Sequence, residues 1–119
     1  MIWAYLFEAK SIQSYIFESG KLKDVIGGSE LVEALVHQHL DTALNSIDEQ
    51  GKAGLRFVRR AGGAFTLLSD ERSDIEDLQS LWSILVPSLA PGLEFIHVMG
   101  EGEDDLSAVE DGQKKLQIV

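Results

Sequence analysis

Two consecutive glycines, Gly62 and Gly63, separate two runs of β-forming residues, and this arrangement restricts the fold more than any other feature of the chain. Residues 55–60 (LRFVRR) precede the glycines and residues 64–68 (AFTLL) follow them. Glycine adopts positive φ without the steric cost that other residues meet, so a Gly-Gly pair between two such runs is typical of a tight β-hairpin. The chain therefore contains a sheet in which these two strands are antiparallel neighbours.

The residues before the hairpin predict one strand and several helices. The run 2–7 (IWAYLF) is apolar at every position and predicts a central strand that ends at Glu8. Two short helices are expected at 11–17 and 22–26. The strongest helical pattern follows at 29–49, where apolar residues recur at intervals of three and four and form one apolar stripe.

The residues after the hairpin predict a helix, a strand and a second helix. The segment 73–76 (SDIE) has the pattern of a capping box, which places the start of a helix at Asp74 and its end near Pro91. Residues 93–99 predict the fourth strand, and 104–116 predict a weaker helix that buries little. This order is that of a ferredoxin-like fold, an α+β architecture with a four-stranded antiparallel sheet and its helices on one face. Residues 1–119 then form a single domain, either a minimal protein or a piece of a longer one.

The composition excludes several classes of function. Twenty acidic residues against ten basic ones give a net charge of −10, so no direct electrostatic grip on DNA is expected. The absence of cysteine excludes a disulfide scaffold and a cysteine-based zinc site, and it is typical of a cytoplasmic protein. The sequence shows neither an apolar run long enough to span a membrane nor the layout of a signal peptide, so no membrane partner is expected.

The stretch 5–32 (YLFEAKSIQSYIFESGKLKDVIGGSELV) resembles the start of the palm domain in the large, polymerase-like subunit of type III CRISPR effector complexes. The similarity consists of a strand, an Ile-Gln pair, an aromatic helix, a basic Leu-Lys-Asp segment and a turn of small residues before the long helix. Gly62 and Gly63 align with the Gly-Gly-Asp-Asp hairpin of that family, which is related to the GGDEF hairpin of diguanylate cyclases. The resemblance covers residues 2 to about 99 and implies a CRISPR-associated palm domain in antiviral defence.

The same resemblance implies a reaction, and it also implies that this chain lacks some of the metal ligands that the reaction uses. Active members of the family convert ATP to cyclic oligoadenylates with Mg²⁺ held by the two hairpin aspartates and an acid on the first strand. Carried over to this chain, the aspartates fall on Ala64 and Phe65 and the strand acid falls on Glu8. Divalent ions of this kind need oxygen ligands, which Ala64 and Phe65 lack. The resemblance thus implies a degenerate palm to which no catalytic residue is assigned. Glu8 is the metal ligand that remains. If a cofactor is used, it is Mg or Mn that arrives with ATP.

Nucleotide binding is expected to survive where the hairpin meets the end of the first strand. Glycines let the backbone approach phosphate, arginine contacts phosphate in a bidentate manner, and a helix N-terminus offers amide groups to it. The candidates for nucleotide binding are Ser11, Gln13, Arg59, Gly62 and Gly63. Arg59 and Arg60 are consecutive on a strand and point to opposite faces, so at most one of them serves this site. Ordinary roles stay open for the same residues, such as helix capping by Ser11 or pairing of Glu8 with Lys10.

Three functions stay open from the sequence. The first is a degenerate palm that serves as a structural or nucleotide-binding component of a type III CRISPR-like system, together with other effector subunits. The second is an active minimal nucleotidyl cyclase that makes cyclic nucleotides from ATP, with Glu8 and a partner chain completing the metal site. The third is an interaction module without a ligand. A homodimer is also expected, through the apolar residues between Ile12 and Ile26.

Overall fold

A computed structural model describes residues 1–12, 30–47 and 54–119. Its four strands are β1 (Ile2–Lys10), β2 (Arg56–Ala61), β3 (Ala64–Ser69) and β4 (Glu94–Gly102). They form one sheet in the order β2-β3-β1-β4, and every neighbouring pair is antiparallel. The predicted α+β, ferredoxin-like fold with a four-stranded antiparallel sheet is confirmed.

Within the described ranges, three helices accompany the sheet. Helix α1 occupies 30–47 and contains a π-helical turn, Leu35–His39, that continues as the α-helix Leu40–Ile47. Helix α2 is Arg72–Leu89 and helix α3 is Asp105–Gln117. All three fall where the sequence predicts helices. The two short helices expected before α1, and the dimer face expected along them, lie almost wholly outside the described residues.

The hairpin forms as predicted. Ala61 pairs with Ala64, which leaves Gly62 and Gly63 as a two-residue turn with φ angles of 64° and 78°. Two successive positive φ angles are the requirement of a type I′ turn, whose twist matches that of the strands it joins. This local requirement is why the glycines predict the turn so reliably.

The central strand β1 is buried on both faces, because α1 and α2 cover one side of the sheet and α3 covers the other. Tyr5 and Phe7 pack with residues of α1 and α2, including the fully buried Trp82. Ala4 and Leu6 alternate with them and pack on the opposite side with residues of α3. The prediction of helices on one face therefore holds for α1 and α2, whereas α3 lies on the other face, where it buries more than expected.

Helix α3 can approach the sheet closely because small residues line the contact. A Cβ atom on Gly112 would lie 2.5 Å from Cδ1 of Leu6, and one on Gly100 would lie 2.5 Å from the carbonyl oxygen of Ala108. The start of the helix is also tied to β2, since Arg56 forms an ion pair with Asp105. The face of the sheet that the sequence leaves uncovered is thus partly closed by α3.

Two helix starts differ from the expected capping. The segment 73–76 forms no capping box: α2 begins at Arg72, and its N-cap Glu71 makes no side-chain cap hydrogen bond. A capping box forms instead at α3, where the carboxylate of Asp104 accepts a hydrogen bond from the backbone N–H of Ser107 at 2.8 Å. The Ser107 hydroxyl also donates a hydrogen bond to this carboxylate at 2.7 Å. The hydroxyl first, and the backbone N–H second, lower the pKa of the Asp104 carboxyl, because both stabilise its charged form.

Candidate functional site

The hairpin tip lies beside the end of β1, where the sequence places the site. Glu8 is the register partner of Ala64, and the backbone N–H of Ala9 donates a hydrogen bond to the Gly63 carbonyl oxygen at 3.0 Å. β1 itself extends to Lys10, two residues beyond the predicted end at Glu8. The carboxylate at the end of the opening strand and the glycine turn therefore belong to one region of the structure.

The two hairpin positions that match the aspartates of the palm family lie on opposite faces of the sheet. Ala64 pairs directly with Glu8 and shares its face. Phe65 faces the α1–α2 side and is 1% exposed, with its ring centroid 5.3 Å from that of Phe7 and 5.8 Å from that of Trp82. The side chain at the second position is thus a core residue, and only the first faces the site.

A cleft of about 670 Å³ opens between the sheet and α3 on the face that carries Glu8. This volume falls within the range of small-molecule sites. All four strands and α3 contribute to its walls. The lining residues that the following argument uses are Leu6, Glu8, Lys10, Arg59, Ala64, Thr66, Val109, Gln113, Leu116 and Gln117.

Among the described residues that line the cleft, two cations and one carboxylate leave a positive balance. Nζ of Lys10 lies 3.4 Å from Oε1 of Glu8, and both side chains are partly exposed to solvent. An exposed pair of this kind contributes little to stability, so an incoming anion can compete for Lys10. Arg59 is exposed and makes no ion pair with the described residues. The cleft is therefore suited to an anionic ligand although the whole chain is acidic.

A β-bulge determines that Arg59 is the arginine that lines the cleft. The register of β2 against β3 shifts between Phe57 and Arg59, where Val58 is the additional residue. After the shift, Arg59 pairs with Thr66 on the cleft face. Without the additional residue, strict alternation would turn Arg59 to the opposite face. The bulge therefore aims this side chain into the cleft.

Arg60 faces the other side of the sheet and is held there. It pairs with Phe65 in the register, and its guanidinium donates hydrogen bonds to the backbone carbonyls of Val36 at 2.8 Å and His37 at 2.7 Å. Its Nη2 atom also lies 2.7 Å from the Asp41 carboxylate. The expectation that the two consecutive arginines serve different faces agrees with this geometry.

Of the remaining candidates for nucleotide binding, Ser11, Gly62 and Gly63 lie outside the cleft lining. Gly62 is exposed at the turn, and Gly63 is buried with its Cα side against Ile12 and Val32. Ser11 follows β1 with a positive φ of 52°, and its hydroxyl donates a hydrogen bond to Glu94 at 3.4 Å. Gln13 lies outside the described residues.

The donor set of the cleft does not fit a metal ion held by the protein. Among the described residues that line it, Glu8 is the one carboxylate. Across 1–12, 30–47 and 54–119, no group of three or more His, Cys, Asp or Glu side chains is placed to hold an ion. In the same part of the chain, no helix has the length and apolar character needed to cross a membrane.

Four polar lining residues were not among the predicted site residues: Lys10, Thr66, Gln113 and Gln117. Thr66 lies between Leu6 of β1 and Arg59 of β2 in the register. The two glutamines come from α3, which the sequence predicts on the same face as the other helices. The apolar residues on both faces of β1 indicate that a helix packs on each face of the sheet. The helix on the second face is α3, which brings the two glutamines to the cleft.

Comparison with known proteins supports the fold. No protein-family model matches the chain, and no curated protein matches it by sequence. The structure is similar to a chain in the crystal structure of a Csm1–Csm4 cassette, a type III CRISPR complex, in complex with pppApApA. The TM-score is 0.66 at 14% sequence identity, over 98% of this chain and 18% of that chain. The resemblance to a type III CRISPR palm is thereby confirmed at the level of the fold, and the match spans less than a fifth of the other chain.

Proposed function

We propose that this chain is a catalytically degenerate palm domain that binds a nucleotide in the cleft beside Glu8, as a component of a cytoplasmic, type III CRISPR-like antiviral system. The observation that carries the proposal is the cleft itself. It lies where the end of β1 meets the hairpin, and it places Lys10 and Arg59 around a space of about 670 Å³. A nucleotide supplies the phosphates that two cations bind and fills a volume of this size.

The degenerate character of the proposed palm is argued from the ligand positions. A two-metal centre needs several oxygen ligands on one face of the sheet. Here Ala64 presents a methyl group beside Glu8, and Phe65 is buried in the core on the opposite face. Among the described residues that line the cleft, one carboxylate remains, that of Glu8, and it already lies near Lys10. In this proposal any Mg²⁺ or Mn²⁺ arrives bound to the phosphates of ATP, and the protein binds the nucleotide without transforming it.

The proposed setting follows from the structural likeness. The similar chain belongs to a cassette of two kinds of subunit and was crystallised in complex with pppApApA. By analogy, we propose that this domain works with other effector subunits and that its ligand is a nucleotide or a short oligonucleotide. Its GGDEF-like hairpin then has a structural role, because the glycines form the turn that sets Ala64 beside Glu8.

Calorimetric titration with ATP tests the binding. The wild-type chain is expected to bind, and Arg59→Gln is expected to weaken the affinity by about tenfold, since a charge-assisted hydrogen bond is lost. Arg72→Gln is the matched control, because Arg72 lies at the start of α2, outside the cleft lining, and pairs with Glu76. Equal affinity for all three proteins would refute binding at this cleft.

Incubation with ATP and Mn²⁺ tests the degenerate character separately. The expected result is ATP that remains unchanged, as measured by chromatography of the nucleotides. A cyclic product that disappears in Glu8→Gln would support the active cyclase instead. Because this assay detects turnover and calorimetry detects binding, the two parts of the proposal can fail independently.

A further inference from the structure

Two glutamines of α3 line the cleft opposite the strands that carry its cations. Gln113 and Gln117 are four residues apart, so their side chains lie on one side of the helix, one turn from each other. Both are exposed, and neither side-chain amide makes a hydrogen bond with the described residues. The binding of phosphate by cations does not account for them.

The charged and the neutral polar groups of the cleft come from different walls. The cations Lys10 and Arg59 come from β1 and β2, whereas the neutral amides come from α3. Apolar side chains lie in the lining as well, among them Leu6, Val109 and Leu116. A ligand that matches this division has an anionic end and a neutral end with apolar faces and a hydrogen-bonding edge.

A nucleobase has these properties. Its faces stack on apolar surfaces, and its edge carries adjacent donors and acceptors. The side-chain amide of glutamine presents one carbonyl acceptor and one NH₂ donor next to each other, which pair with such an edge in a bidentate manner. Two amides one helical turn apart offer two such contacts along α3.

We infer that Gln113 and Gln117 bind the base edge of the nucleotide whose phosphates bind Lys10 and Arg59, and that they make α3 the base-selecting wall of the cleft. This inference rests on the proposed nucleotide binding and adds to it the residues that select among bases. It also gives α3 a functional reason to lie on the face opposite α1 and α2.

Calorimetry with ATP and with inorganic tripolyphosphate separates base contacts from phosphate contacts. The double variant Gln113→Ala/Gln117→Ala is expected to bind ATP roughly 25-fold more weakly, at about a factor of five for each lost hydrogen-bonded amide. Its affinity for tripolyphosphate is expected to stay unchanged. Gln38→Ala is the matched control, because Gln38 is an exposed glutamine on α1, outside the cleft lining. Both glutamines of α3 are exposed, so the double variant is expected to keep the wild-type thermal unfolding curve.

A panel of ATP, GTP, CTP and UTP completes the test. The wild type is expected to bind the four nucleotides with different affinities, and the double variant is expected to bind all of them with similar affinity. If the wild type binds tripolyphosphate as tightly as ATP and the double variant behaves as the wild type, the base-selecting role is refuted while phosphate binding stands. If the wild type binds neither ATP nor tripolyphosphate, the proposed function itself is refuted.

Discussion

Replacement of Arg60 by alanine is expected to destabilise the fold, because this side chain ties β2 to α1. Its guanidinium donates hydrogen bonds to the carbonyl oxygens of Val36 at 2.8 Å and His37 at 2.7 Å, and it lies 2.7 Å from the Asp41 carboxylate. It also stacks over Phe57, with Cζ 4.4 Å from the ring centroid. Alanine keeps none of these four contacts.

The expected loss is about 3 kcal/mol of unfolding free energy. The two hydrogen bonds to backbone carbonyls contribute about 1 kcal/mol each after exchange with water is counted. The ion pair adds about 0.5 kcal/mol, because the Asp41 side chain is 57% exposed and solvent screens the pair. The contact with the Phe57 ring adds about 0.5 kcal/mol. For a domain of this length the total corresponds to a fall in Tm of roughly 10 °C.

Urea denaturation followed by circular dichroism measures this loss. Arg59→Ala is the matched control, since Arg59 is the same residue type at the next position of the same strand but is exposed on the cleft face. It is expected to change stability by no more than about 0.5 kcal/mol. A loss below about 1 kcal/mol for Arg60→Ala, or equal losses for the two variants, would refute the assignment of these arginines to opposite faces.

Two further outcomes are expected. Gly63→Ala should lower the unfolding free energy by about 2 kcal/mol and Gly62→Ala by about 1 kcal/mol. Both glycines have positive φ, but only a Cβ on Gly63 would lie 2.8 Å from Cδ1 of Ile12. Equal losses in urea denaturation would contradict the close packing at Gly63. Because the pKa of Asp104 is lowered, its cap stabilises α3 fully at pH values above the pKa of an ordinary Asp. This stabilisation is lost as the pH falls through the lowered pKa. An acid titration of the Ser107 amide by NMR should therefore have its midpoint below the pKa of an ordinary Asp side chain, and a midpoint at or above that ordinary pKa would contradict the capping box.

The order of the elements and the hairpin could be predicted because they depend on neighbouring residues. A type I′ turn needs positive φ at two successive positions, and Gly62 and Gly63 supply it without help from the rest of the chain. The repeat of apolar residues similarly predicts α1 and α2, since the period of a helix is a local property. The apparent capping box at 73–76 predicted a start at Asp74, whereas α2 begins at Arg72 after the N-cap Glu71.

The candidate site could be predicted only in part. Glu8 and Arg59 were identified from their positions beside the predicted hairpin, and both line the cleft. The contributions of Gln113 and Gln117 could not be found in this way, because the residues of α3 are nearly a hundred positions away from β1. Their place in the cleft depends on which face of the sheet α3 covers.

Local sequence was sufficient for the strands and helices of the described residues, their order and the turn, since each follows from the conformational preferences of a few adjacent residues. Long-range packing determined the rest: the pairing of Glu8 with Ala64, the bulge at Val58 that aims Arg59 into the cleft, and the placement of α3 on the second apolar face of β1. The physical reason is that strand register and helix placement are set by the joint burial of side chains distant in the sequence. A one-residue shift in register exchanges the two faces of a strand and would remove the cleft.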